Sequence, residues 1–236
     1  MNYFAHGRAF VDDPYFLAGT AVPDWLNVVA RKVKARSKHA RAFVDDADAH
    51  LAALARGIEQ HHFDDRWFHA TAAFAELSWN FTVLIRDGLE TDDGLRPSFL
   101  GHILVEILLD ACLIAQCPEQ LDAYYQALAA LDPRWLEGAV GKMAAGHAGT
   151  LGHPLALGDF IPLFIRERFL WDYLDDGKLC YRLNQVMRRV GLAVLPEAFA
   201  DLLPEIRHSV ARRQHELLTP ADAGLASIPP TPTSTT

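Results

Sequence analysis

Two runs of side chains are spaced so that they could hold a metal ion. His61, Asp65 and His69 stand four residues apart, and His102, Glu106 and Asp110 repeat the interval. Residues four apart on a helix share a face, so each run, if helical, sets three potential ligands along one stripe. Imidazole and carboxylate suit zinc, iron or manganese, and carboxylate also suits magnesium. A divalent ion so held acidifies a bound water and neutralises charge on a phosphoryl group. The chemistry such a pattern offers is metal-assisted hydrolysis.

The second run gains weight from its setting. Apart from His102, Glu106 and Asp110, every residue from Phe99 to Ala115 is apolar, small or Cys. A helix that is hydrophobic nearly all round is buried, and an unpaired buried carboxylate is costly. Glu106 and Asp110 therefore need a cation, and few basic side chains lie near them in sequence. Upstream, His6 and Asp24 are further ligand candidates. Plainer roles stand beside these. Asp110 also reads as a buried acid hydrogen-bonded to backbone or His, and Asp24 as the N-cap of the next helix. His62 and Asp64 point away from the first stripe and read as surface or supporting residues. His147 and His153, in a Gly-rich stretch, read either way.

The elements that must position these residues are helical. Periodicity of about 3.6 dominates, without a clear alternating run of β-branched residues. It predicts an all-α chain: a helix from Asp12 to Ala21 broken at Pro23, and a second from Asp24 through the basic segment. A long helix follows from Asp45, its pattern running on past His61 to Ile85, then helices over Ser98–Gln116 and Glu119–Leu131. Further helices are expected over Pro162–Leu174, Lys178–Arg189 and Pro196–Leu218. Loops are expected at 87–97 and at 144–160, and the Pro/Thr-rich tail 221–236 cannot bury apolar surface. One helical domain over 1–220 is the expectation for 236 residues.

Composition narrows the class. The chain is 50 % hydrophobic and 22 % charged, with formal net charge -8 and pI near 5.7, so coating of nucleic acid is not expected. The segment Arg31 to Arg41 nevertheless holds six of the 22 Lys and Arg residues and no acid. Arg31, Lys32, Lys34, Arg36, Lys38 and Arg41 read either as a solvated face or as a docking patch for phosphate or an acidic partner. Arg188 and Arg189 read as a phosphate clamp or as C-terminal charges before Gly191. Cys112, Cys117 and Cys180 lack a second pair for a thiolate zinc site and read as free thiols in a reducing compartment. No secretory leader is read at the start, and the lack of any stretch of about 18 uncharged apolar residues is read as excluding a membrane span. The expected location is cytoplasmic.

With these residues in place, the sequence resembles the acyl carrier protein phosphodiesterases, whose helical fold is likened to the HD-type metal phosphohydrolases. The opening MNYFAHGRAF…FLAGTAVPDWL looks like that family's start, which puts His6 and Asp24 at corresponding positions. GIEQHHFDDRWFHATAAF is similar to its Gly-Ile-x-x-His-Arg-x-x-Asp-x-x-x-Asp segment, matching His61 and Asp65, and LGHILVEILLD to its later acid segment, matching His102 and Glu106. FLWDYLDDGKLCYRLNQVMRRVG…LPEAFADLLPEIR also has the family's look. Four positions depart from the pattern: His62 stands for Arg, His69 and His102 for Asp, and Ile107 for His. The site is thus richer in imidazole. The resemblance implies a metal-dependent phosphodiesterase releasing 4′-phosphopantetheine from acyl carrier protein. Spacing and resemblance together give a ligand pool of His6, Asp24, His61, Asp65, His69, His102, Glu106 and Asp110, with Asp24, Asp65 and Arg189 in catalytic roles and the basic segment docking the acidic partner. The opening also resembles that of zinc-dependent phospholipase C-like proteins. The departures equally fit a helical metal-binding protein without catalysis.

Overall fold

A computed structural model describes residues 1–89, 94–145 and 155–220. They are helical, with no strand among them. The α-helices are α1 (Tyr3–Gly7), α2 (Pro14–Val29), α3 (Ser37–Ala40), α4 (Ala49–Phe68), α5 (Ala72–Gly88), α6 (Pro97–Gln116), α7 (Pro118–Ala129), α8 (Pro133–Ala145), α9 (Leu157–Glu167), α10 (Asp176–Val190) and α11 (Leu203–Leu217), with short 3-10 segments between some of them. The expected tail and the centres of both expected loops (90–93 and 146–154, with His147 and His153) lie outside the described residues.

The backbone groups into two compact units, each discontinuous in sequence. Of the described residues, one unit comprises Met1–Asn2, those from Arg66 to Pro118 and those from Phe169 onward; the other comprises Tyr3–Asp65 and those from Glu119 to Arg168. In the first unit α6 packs against α5 and α11. Gly101 lets α6 close on α5: a Cβ there would come within 2.7 Å of Thr82 Oγ1 and 3.0 Å of its backbone nitrogen. By length and composition α6 is apolar enough to cross a membrane, since two carboxylates do not offset its aliphatic residues. Its packing against α5 and α11 is that of a core helix.

In the second unit, Phe164 of α9 is fully buried among Tyr3, Trp25 and Tyr125, with ring centroids 5.2, 5.6 and 5.7 Å away. Burying one such side chain contributes roughly 1.5–3 kcal/mol. Helices α2 and α4 approach backbone to backbone at Gly19 and Gly57. A Cβ built on either glycine falls 2.8 Å from the other's Cα.

Five expectations about the elements are corrected. Pro23 lies inside α2 rather than ending it. Its ring faces the carbonyl four residues back, which belongs to Gly19. Helix α2 ends at Val29, so the basic segment is not helical up to Ser37; turn and extended backbone carry Arg31 to Arg36. Helix α4 stops at Phe68 instead of continuing to Ile85. Thr71 then caps α5, its side chain accepting from the Phe74 N–H at 3.2 Å while its hydroxyl donates to the Phe68 carbonyl at 2.8 Å. Helix α8 was not expected, and Pro162 sits within α9 rather than at its start.

Candidate metal centres

Helix α4 carries His61 and Asp65 one turn apart, and α1 brings His6 to them. His6 and His61 are buried, with rings stacked at 4.2 Å between centroids. His6 Nε2 lies 3.3 Å from Asp65 Oδ1, and His61 Nε2 lies 3.3 Å from Asp65 Oδ2. The Asp65 side chain retains 30 % of its surface, so the trio opens on its carboxylate side. His6, His61 and Asp65 each offer a donor atom within 4.8 Å of the others.

The far side of each ring is held as well. His61 Nδ1 donates to the Thr20 carbonyl at 2.8 Å, a contact within reach because Gly19 and Gly57 let α2 and α4 meet. His6 Nδ1 lies 3.3 Å from Asp64 Oδ2, while Gln60 Nε2 donates to Asp64 Oδ1 at 2.7 Å. Carboxylates and backbone carbonyls behind a ligating imidazole fix its ring and tautomer, the usual outer arrangement of metal-bound histidine. Because a carbonyl can only accept, His61 must carry its hydrogen on Nδ1. Its Nε2, a lone pair in the neutral ring, then faces a carboxylate oxygen. Two acceptors at that distance need a cation between them, either a proton on Nε2 or a metal ion.

The charges respond accordingly. Burial alone would lower the pKa of His6, but hydrogen bonds to Asp64 and Asp65 raise it from 6.5 to about 9. Burial would raise Asp65, yet hydrogen bonds from His6 and His61 hold its carboxyl far below the usual carboxylate range. In the metal-free protein the His6 contribution to stability is full below the unfolded value near 6.5 and disappears as pH rises through about 9. That term is on the order of 3 kcal/mol. Urea denaturation of chelator-treated protein is therefore expected to show falling stability from pH 6.5 to 9, and a flat profile would contradict the buried imidazolium. Asp65 has the opposite sign: its contribution is present above the unfolded carboxylate value and lost as pH falls.

A second trio lies in the other unit. His102 and Glu106 are one turn apart on α6, and His69 follows the end of α4. His69 Nε2 and His102 Nε2 lie 2.8 and 3.3 Å from the same oxygen, Glu106 Oε1, with the Met1 ammonium 3.4 Å from it. Burial would raise the Glu106 pKa, but the ammonium, His102 and His69 hold the carboxyl well below its ordinary value. Phe74 packs against both rings, at 4.7 Å from His69 and 4.9 Å from His102.

The structure thus divides the expected ligand pool. The first sequence run does not stay together: His61 and Asp65 join His6, and His69 joins His102 and Glu106. Asp110 is fully buried on α6, and neither it nor Asp24 belongs to a trio. Asp24 is not the N-cap of a helix either. It lies within α2, whose N-cap is Asp13. No family model, curated protein or solved structure matches the chain. His62, read as a surface or supporting residue, donates from Nε2 to the Ala35 carbonyl at 2.6 Å and anchors the basic segment to α4; burial lowers its pKa. Within that segment Arg31, Lys32, Lys34, Arg36, Lys38 and Arg41 are all exposed, and Arg41 also holds Glu59 through two nitrogens at 2.9 and 3.1 Å. Arg189 is exposed in the last turn of α10, which Gly191 closes in the left-handed conformation.

Asp64, Gln60 and Thr20 are the residues that sequence reasoning missed or misplaced. Asp64 faces His6 rather than pointing away, and its Gln60 partner is four residues back, a legible helical pair. Asp64→Asn keeps the shape and removes the charge behind His6. It is expected to weaken metal binding at this trio by about 10–100-fold, measured by competition with a chromophoric chelator; an unchanged affinity would remove Asp64 from the site.

Proposed function

We propose that the chain is a metal-dependent phosphoester hydrolase whose catalytic ion is held by His6, His61 and Asp65. The observation that carries this reading is the position of His61. Its Nδ1 is committed to the Thr20 carbonyl, so its Nε2 faces Asp65 across a gap that a cation fills. Two imidazoles and one carboxylate match the protein ligands of hydrolytic zinc sites. When bound, a divalent ion would acidify a water and neutralise phosphoryl charge. The chain's own residues supply the rest. Asp64 and Thr20 fix the two rings, and the exposed edge of Asp65 gives water and substrate a way in. Asp24 lies on α2, the helix whose Thr20 carbonyl holds His61, and in this reading its carboxylate would orient the attacking water. Arg189 is left to its helix terminus, where a cation complements the dipole.

The helical scaffold with His and Asp ligands is consistent with the HD-like resemblance, and the favoured substrate is a phosphodiester such as the 4′-phosphopantetheine linkage of acyl carrier protein. Arg31, Lys32, Lys34, Arg36 and Lys38 are exposed on the segment that His62 ties to the ligand helix, and suit an acidic partner. The test is turnover of a phosphodiester panel, including holo-acyl carrier protein, by protein reconstituted with manganese, zinc, iron or magnesium. Metal-replete protein inactive on every member would overturn the catalytic reading. A second reading has support in the raised pKa of His6: a buried imidazolium between Asp64 and Asp65 is a stable knot without any metal. Purified protein that binds no ion would favour it.

A further inference from the structure

We infer that His69, His102 and Glu106 form a second transition-metal site, separate from the His6 trio and contained in the other compact unit. Three donors from two elements come within 4.8 Å of one another. Both imidazoles aim Nε2 at one carboxylate oxygen, Glu106 Oε1, at 2.8 and 3.3 Å. The geometry is held by packing. Phe74 lies against both rings, and Gly101, next to His102, lets α6 close on α5. His69 and Phe74 flank the cap of α5 at Thr71.

Two imidazoles with one carboxylate select zinc or a neighbouring late first-row ion over magnesium or calcium, which prefer all-oxygen sites. The His102 and His69 side chains keep 45 % and 34 % of their surface. Such a site has room on its solvent side for water or an anionic oxygen ligand, as three-ligand zinc sites do.

The test is titration of chelator-stripped full-length protein with zinc alone, in parent, His102→Ala, Glu106→Gln and His61→Ala forms. His102 is exposed enough for alanine to leave the fold intact, and Glu106→Gln is an isosteric second variant; far-ultraviolet circular dichroism checks both. Two equivalents are expected in the parent and one in each variant, with affinity for the lost equivalent down more than 100-fold. Two equivalents retained in both His102→Ala and Glu106→Gln would overturn the inference. So would a parent binding one equivalent that His61→Ala loses and His102→Ala keeps, a result that leaves the proposed function standing. One equivalent lost in His102→Ala and kept in His61→Ala would uphold the inference and remove the catalytic ion proposed above. No zinc in the parent would overturn both.

Discussion

His61→Ala is expected to lose the ion at the His6 trio and, with it, phosphoester turnover. The variant removes a ligand and also opens the gap opposite Asp65 Oδ2, 3.3 Å from the lost Nε2. Deleting an outer partner of a ligating histidine typically costs 10–100-fold in affinity or activity, so deleting the ligand itself should exceed about 100-fold. The loss should appear first in metal content and then in turnover, whatever ion is supplied. His61→Ala protein that is folded, metal-replete and active would refute the site. The same substitution leaves Thr20 without its donor and His6 without its stacked neighbour. Circular dichroism must therefore show native helicity before the activity is interpreted.

How much of this was visible beforehand follows from helix geometry. His61 with Asp65, and His102 with Glu106, were legible because one turn of helix is a local rule. The third member of each run was not. Four residues overshoot a 3.6-residue turn by about 40°, so two such steps rotate a side chain by about 80°. Asp110 is thereby carried off the half-open stripe of His102 and Glu106 into full burial. His69 leaves its stripe for a different reason: α4 ends at Phe68, a boundary that Thr71 as N-cap signals locally. His6 lies 55 positions from His61 in the numbering, and no periodicity links them; its residue type and the family-like opening made it a candidate but could not assign it to this trio. Pro23 misled because a proline was read as a helix end, whereas α2 continues through it to Val29. The all-helical class was plain throughout, since the apolar period is helical in nearly every segment.

Gly57→Ala is expected to be among the most damaging single-methyl changes in the chain. The added Cβ would sit 2.8 Å from Gly19 Cα and 3.0 Å from the Phe16 carbonyl carbon, and closer still to that carbonyl's oxygen. All of these are backbone atoms, so no rotamer change relieves the contact and α2 must move away from α4. Overpacking of this kind costs typically 1–3 kcal/mol and sometimes more; with backbone on both sides, about 3 kcal/mol is the expectation. Any separation also draws the Thr20 carbonyl off His61 Nδ1, now at 2.8 Å, so metal affinity should fall by about 10–100-fold. Gly138→Ala is the control. It lies in α8 with nothing within 4 Å of the new Cβ, and replacing a helix-interior glycine should raise stability by roughly 0.5–1 kcal/mol. Urea midpoints that move in opposite directions for the two variants would tie the metal centre to the glycine contact beneath it, while equal midpoints would mean that α2 and α4 do not meet there.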